Sequence, residues 1–201
     1  MNIERIKIGM EKIASTMAKS KMYLIELDQQ HGDGDLGISM EAGFTAVNQF
    51  LKGSDITDLG MLFHKSADIF NEAAPSSMGT IITFIMKGMS KYLKGKENEC
   101  TVKELGEAML VGIENVKNKT GSDVGQKTIL DSFVPAVYML IDNSEDPNVF
   151  SYAASAAKEG SENTKNMKAV WGRAAYYGED TMGVVDGGSV VGFLIFESLI
   201  K

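Results

Sequence analysis

Only three prolines stand in a chain of 201 residues, and apolar residues recur at spacings of three and four almost from end to end. Proline lacks a backbone N–H and clashes with the carbonyl four residues back, so a sequence this poor in it leaves a helical pattern uninterrupted. Clean alternation of the kind a half-buried strand needs is scarce. Thirteen methionines add helix formers that also fill irregular gaps in a core. An all-α fold follows.

The periodicity predicts eight helices, at about 3–28, 39–52, 57–73, 77–94, 101–118, 128–142, 147–165 and 188–200. Thr101 with Glu104 and Thr128 with Asp131 have capping-box spacing. Asp146 before Pro147 reads as an N-cap with proline at the first helical position. Pro135 falls inside the sixth helix and is expected to bend it. Most connections are short, which makes successive helices antiparallel neighbours in an up-and-down bundle or barrel. The exception is the glycine-containing stretch 165–187, which carries Trp171 and Arg173 and has the length of a lid or binding loop. No repeat or linker divides the chain, so residues 1–201 read as one domain.

The formal net charge of -7 disfavours nucleic acid and anionic membranes as partners. It does not disfavour a nucleotide that arrives with Mg²⁺. The single cysteine, Cys100, forms no internal disulfide and suits a reducing cytosol. Met1–Lys21 lacks the apolar run of a signal peptide, and Val190–Ile200 is too short to span a bilayer. A cytoplasmic protein is expected.

The segment Asp28-Gln29-Gln30-His31-Gly32-Asp33-Gly34-Asp35 is the most informative. It brings three carboxylates and two glycines into one turn between helices. Converging carboxylates repel one another without a cation, and Mg²⁺ takes oxygen ligands while keeping positions for water and phosphate. An EF-hand is excluded, because the twelfth position would be Phe44 or Ala46 rather than glutamate. A solvated Asp/Gly turn is the competing account, at about equal weight on spacing alone. His31 reads as a surface residue.

Three more loops have the makings of a nucleotide site. Pro75-Ser76-Ser77 precedes a helix N-terminus, where free N–H groups and the dipole favour an anion, although an ordinary serine cap explains the same residues. Gly121 to Thr128 is a polar turn in which Lys127 meets either phosphate or water. Arg173 offers a planar fork to phosphate or to a structural carboxylate. Asp186-Gly187-Gly188 opens the last helix. Walker A, protein-kinase glycine-loop and Rossmann patterns are absent, and two histidines with one cysteine argue against a zinc site or a Ser–His–Asp triad.

Taken in order, these loops resemble the nucleotide-binding L subunit of dihydroxyacetone kinases, the same domain as the C-terminal half of the single-chain kinases. The carriers are Asp28 with Gly32-Asp33-Gly34-Asp35 and Gly37, Gly79-Thr80, Lys127-Thr128 with Asp131, Pro135, Gly172-Arg173-Ala174, Gly178-Glu179 and Asp186. The resemblance implies a barrel of eight antiparallel helices with a nucleotide, ADP or ATP, and two Mg²⁺ ions at one end. It makes Asp28, Asp33 and Asp35 the metal ligands. Leu36, Gly37, Ile38 and Ser39 would line the phosphates, with Ser76 and Ser77 assigned to the phosphate loop. Gly121, Ile129, Arg173, Asp186, Gly187 and Gly188 would enclose the rest of the nucleotide.

The implied activity is phosphoryl transfer to a small hydroxy-ketone such as dihydroxyacetone. The acceptor, and with it the catalytic base, would sit on a partner K-type subunit. The phosphate source is left open between ATP and bound ADP recharged by an M-type phosphoryl carrier of the sugar phosphotransferase system. A homodimer is compatible with the same reading. The chain departs from the family pattern at Leu36 (histidine in many members), Gln126 (aspartate), Asp180 (arginine), Gly187 (proline) and Pro75-Ser76-Ser77 (Ala-Ser-Gly). These departures motivate the alternative of a non-catalytic nucleotide-binding regulatory or scaffold subunit.

Overall fold

A computed structural model describes residues 1–200. Eight α-helices follow one another: α1 Ile3–Asp28, α2 Leu36–Lys52, α3 Leu59–Ala73, α4 Ser77–Leu93, α5 Val102–Thr120, α6 Leu130–Asp142, α7 Val149–Asn163 and α8 Gly187–Ser198. Among the described residues the only β pairing is two isolated bridges, Asn2 with Glu99 and Asp58 with Glu97. Each helix packs on the next, and α8 packs on α1, which closes the ring into an up-and-down barrel. No helix among the described residues is long and apolar enough to cross a membrane.

Local chemistry sets most of the helix starts. Asn2 accepts the Arg5 N–H at 3.0 Å to open α1, Asp58 accepts the Met61 N–H at 2.6 Å to open α3, and Thr101 and Glu104 form the reciprocal capping box of α5. These bonds satisfy donors that a helix N-terminus otherwise leaves unpaired. At α6 the box is only half made. The Asp131 carboxylate accepts the Thr128 N–H at 2.7 Å, but the Thr128 hydroxyl takes the Leu130 N–H, and the helix starts at Leu130. Asp146 does not cap α7: it accepts the Asn148 N–H at 2.7 Å in a preceding turn, and the helix starts at Val149. The stretch 165–187 is not structureless. It holds 3-10 segments at Thr164–Asn166 and Arg173–Thr181, the second broken at Gly178 with φ 57°.

Pro135 lies within α6 without ending it. It leaves the Asp131 carbonyl without its helical donor, and Gly160 of α7 packs directly onto that carbonyl, where a side chain would clash. The inner faces of the helices supply a continuous apolar core in which Phe44, Phe63, Phe70 and Phe196 are fully enclosed. The Phe44 and Phe70 rings meet edge to face, centroids 4.9 Å apart, the arrangement their quadrupoles favour. A cavity of about 80 Å³ within the core is lined by Met1, Ile6, Leu105 and Leu199, toward the end where α1 begins.

Backbones also meet closely between α4 and α5. A Cβ on Gly88 would lie 2.5 Å from the Gly112 Cα, and one on Gly112 would lie 2.6 Å from the Ile85 carbonyl. Replacing Gly88 by alanine raises helix propensity by about 1 kcal/mol, but the two backbones must separate to admit the methyl. Gly88→Ala is therefore expected to lower stability overall, by roughly 1–3 kcal/mol. A urea midpoint equal to that of the unchanged chain would show that the helices separate freely.

Candidate functional site

In an up-and-down ring, α1 ends where α2, α4, α6 and α8 begin, so the connections 29–35, 74–76, 121–129 and 164–186 share one end of the barrel. The aspartates converge there. One carboxylate oxygen from each of Asp28, Asp33 and Asp35 lies within 4.8 Å of the others. Glycine makes this possible at two positions. At Gly32 a side chain would strike the Asp28 carboxylate. Gly34 adopts φ 77° and donates its N–H to Asp28 Oδ2 at 2.7 Å. Asp35 is the N-cap of α2, yet its carboxylate makes no capping bond and is left to the cluster. Burial raises the Asp35 carboxyl above its ordinary range, and the Asp33 and Asp28 carboxylates raise it further. The cluster thus stores repulsion that a cation relieves, and it offers the hard oxygen donors that Mg²⁺ takes. Part of that relief comes from Arg173, whose Nη2 lies 2.6 Å from Asp33 Oδ2.

Leu36, Gly37, Ile38 and Ser39 form the first turn of α2. The N–H groups of the first three have no helical acceptor and face outward along the axis, the usual anion-binding geometry of a helix start. Their side chains do other work. Leu36 and Ser39 are buried and Ile38 is half exposed. The Ser39 hydroxyl is engaged by the Asp35 and Leu36 carbonyls.

Gly187 and Gly188 bring the start of α8 against this turn. The Leu36 side chain ends 2.7 Å from where a Gly187 Cβ would stand, and Met78 ends 2.5 Å from that of Gly188, with the Ile129 N–H at 3.4 Å. Ile129, Leu36, Gly187 and Gly188 are therefore neighbours. Ser76 caps α4 through its hydroxyl, accepting the Gly79 N–H at 3.0 Å, while Ser77 is exposed. These serines join the group through Met78 rather than directly.

The excursion 164–186 lies over two of the other loops. Besides the Arg173–Asp33 pair, Tyr177 meets His31 edge to face at 5.0 Å. Trp171 Nε1 donates to Gln126 Oε1 at 2.5 Å, and its ring lies beside Gly121. Lys127 is neither a phosphate contact nor a solvated lysine. It is 6% exposed and donates to the Thr164 and Val184 carbonyls, each at 2.6 Å. Burial pulls its pKa down against the pull of Asp186 and Asp131. Periodicity gave no sign of this role, or of those of Gln126 and Tyr177, because their partners lie tens of residues away. The one local hint was Lys127's position in a glycine-flanked turn.

Asp186 caps α8, accepting the Ser189 N–H at 2.6 Å. Burial pushes its carboxyl up from 3.8 to about 7, against the Ser189 N–H and the Lys127 ammonium, which lower it. Between those two values the folded chain keeps a proton that the unfolded chain has lost. This group's stabilising contribution is therefore complete below about 3.8 and is lost as pH rises through about 7. Asp186→Asn keeps a capping oxygen and cannot ionise. It is expected to show a smaller fall in urea midpoint between pH 5 and pH 8 than the unchanged chain, and an equal fall would place the titration elsewhere.

Known proteins resemble this chain in sequence and in fold. The ADP-binding subunit DhaL of PEP-dependent dihydroxyacetone kinase 2 from Listeria innocua is 29% identical over 198 residues, covering 96% of this chain and 91% of that subunit. The ADP-binding subunit DhaL of the Escherichia coli PEP-dependent dihydroxyacetone kinase is 26% identical over 196 residues, covering 94% and 92%. Dihydroxyacetone kinase 1 of Saccharomyces cerevisiae is 26% identical over 191 residues, but the chain spans only 31% of that protein. Among solved structures, the native dihydroxyacetone kinase of C. freundii superposes with a TM-score of 0.78 at 23% identity, over 96% of this chain and 34% of that one. The same kinase in complex with AMP-PNP and Mg²⁺ gives a TM-score of 0.76 at 23% identity, over 95% and 32%. At that identity the likeness is one of fold. The DAK2 domain matches residues 30–201, from the aspartate loop through α8, and the chain belongs to the DAK2 domain family.

Proposed function

We propose that this chain is the nucleotide-binding subunit of a dihydroxyacetone-type kinase, holding ADP or ATP with Mg²⁺ for phosphoryl transfer to a small hydroxy-ketone on a partner subunit. The observation that carries this reading is the convergence of Asp28, Asp33 and Asp35 beside the unpaired first-turn N–H groups of α2. Three hard anionic donors and an anion-binding helix start, side by side, suit a metal-bridged phosphate chain. The names of the relatives support it: the DhaL proteins are ADP-binding subunits, and the C. freundii kinase was solved with AMP-PNP and Mg²⁺.

In this reading Asp28, Asp33 and Asp35 hold Mg²⁺, two ions by family resemblance. Those carboxylates would hold the metal, which when bound would supply charge neutralisation for the phosphates. Leu36, Gly37 and Ile38 offer N–H groups to phosphate oxygens. Arg173, already docked on Asp33, supplies a planar fork at the same place. Ile129 and the Asp186-Gly187-Gly188 turn form apolar and backbone walls for the nucleoside, with Gly121 and Trp171 on the other side. By family resemblance a K-type partner supplies the acceptor and the base.

The chain covers nine-tenths of the separate DhaL subunits, named as parts of PEP-dependent kinases, and a third of the single-chain kinase. The phosphate source in this reading is either recharge of bound ADP by an M-type phosphoryl carrier, which the names of the PEP-dependent relatives support, or free exchange with ATP. The cytoplasmic setting and the possible homodimer belong to the same reading.

Calorimetry of ADP and ATP against the nucleotide-free chain, with Mg²⁺ and with EDTA, tests the proposal. Tight binding that needs Mg²⁺ is expected, and folded protein that binds neither nucleotide would overturn it. Asp33→Asn with Asp35→Asn is expected to abolish the Mg²⁺ dependence with the helical signal intact and to stop phosphoryl transfer in the reconstituted complex. Unchanged transfer would instead favour the regulatory or scaffold reading. Arg173→Gln separates the two uses of the arginine. Removing its charged hydrogen bonds is expected to weaken Mg-ADP by about tenfold or more, while Mn²⁺ binds the nucleotide-free chain more tightly because Asp33 is released. Weaker Mn²⁺ binding would show that Arg173 does not compete with the metal.

A further inference from the structure

The excursion 164–186 leaves the barrel at the end of α7 and returns at the start of α8. Its two ends are stitched to each other. The Gly183 N–H donates to the Lys165 carbonyl at 2.8 Å, and the Asp186 N–H donates to the Thr164 hydroxyl at 2.9 Å. These bonds close the neck of the loop, and the Thr164 hydroxyl also ties it to the Ser161 carbonyl of α7. Lys127 in addition fixes it to the α5–α6 connection, because its ammonium binds one carbonyl from each side of the neck, Thr164 and Val184. Its own backbone is held at φ 59°, a left-handed conformation that a side-chain-bearing residue seldom adopts. Such an outlier persists only where the surroundings over-determine it, and these cluster at ligand clamps.

The contacts farther along the excursion are exposed. Arg173 on Asp33 is 67% and 40% accessible at the two side chains, and Trp171 and Tyr177 are about half exposed. Exposed ion pairs and edge contacts hold a loop weakly. A buried ammonium with two carbonyl acceptors does not release without leaving buried acceptors unpaired.

We propose that Lys127 is a positioning residue for the nucleotide site: it clamps the neck of the 164–186 excursion so that Arg173 and Trp171 stand over the aspartate loop and Gly121 before any ligand arrives. Lys127 makes no phosphate contact itself. It lowers the ordering cost of binding by fixing the loop in advance. The clamp is a property of the free chain, although its effect on nucleotide rests on the nucleotide-binding reading above.

Trp171 is the only tryptophan and sits on the clamped loop, so its emission reports the loop without a label. The test compares Lys127→Met and Lys127→Arg with the unchanged chain by hydrogen exchange and acrylamide quenching without ligand, then by Mg-ADP calorimetry. In Lys127→Met, amides 165–183 are expected to exchange at least tenfold faster while those of α1 to α5 keep their rates. Trp171 should become more quenchable and Mg-ADP at least tenfold weaker. Lys127→Arg, which keeps a cation with several donors, is expected to restore most of all three. Loop exchange and quenching unchanged in folded Lys127→Met overturn the clamp, as does exchange that quickens equally through the barrel. If Lys127→Met does not fold, Thr164→Val removes the hydroxyl stitch with Lys127 intact. Faster exchange confined to the loop then supports a neck that sets loop position, and unchanged exchange overturns it. If the unchanged chain binds no nucleotide, the functional reading fails while the ligand-free exchange still decides the clamp.

Discussion

Helix α8 is the element on which both the barrel and the site depend. Nine of its residues are buried, from Gly188 through Ser198, because it packs on α1, α6 and α7 at once. A helix enclosed on so many sides closes the ring, and its hydrophobic burial is what holds the two ends of the chain together. Its first turn is also the Asp186-Gly187-Gly188 segment. The position of that turn is therefore set by the core rather than by the loops around it. Asp186, Ser189, Thr164 and Ser161 join in a buried hydroxyl–carboxyl network at this point, which ties the start of α8 to the end of α7.

On that rigid end the electrostatics are left unresolved by design of the sequence. The aspartates are drawn together by glycines that admit Asp28 at Gly32 and turn the chain at Gly34. Asp35 gives up the capping bond that its position would allow. Each of these choices costs the folded chain a little, and together they make a site that attracts a cation. Arg173 reaching Asp33 is the chain's own partial answer. It is an exposed and screened one, weak enough to exchange for something more highly charged.

Much of the fold was legible in the sequence, because helical periodicity is a local signal. The eight helices appear in the predicted order, and the start of α1, the cap of α4 and the capping box of α5 stand where the residues place them. The second helix starts at Leu36 rather than at 39, because no side-chain cap marks its first turn, and two further errors fall where side-chain oxygens had two backbone donors to choose between. Asp146 served a turn instead of α7, and Thr128 shared its role with Asp131. The aspartate cluster was legible for the same reason as the helices: its members lie within one short loop. What sequence could not supply was the joining of loops. Lys127 reaching Thr164 and Val184, Trp171 reaching Gln126, and Tyr177 reaching His31 all depend on which helix ends meet, and no spacing encodes that.

Two of the departures from the family pattern also take on meaning only in three dimensions. By the family resemblance, Leu36 stands at a position of histidine and Gly187 at one of proline. In the folded chain these two positions touch: Leu36 Cδ2 occupies the space a Cβ at Gly187 would approach to 2.7 Å. The Leu36 side chain thus forms an apolar wall between the aspartate loop and the Asp186 turn, and a side chain at Gly187 would have to displace it. That wall lies beside the aspartate cluster and the first-turn N–H groups of α2 rather than among them.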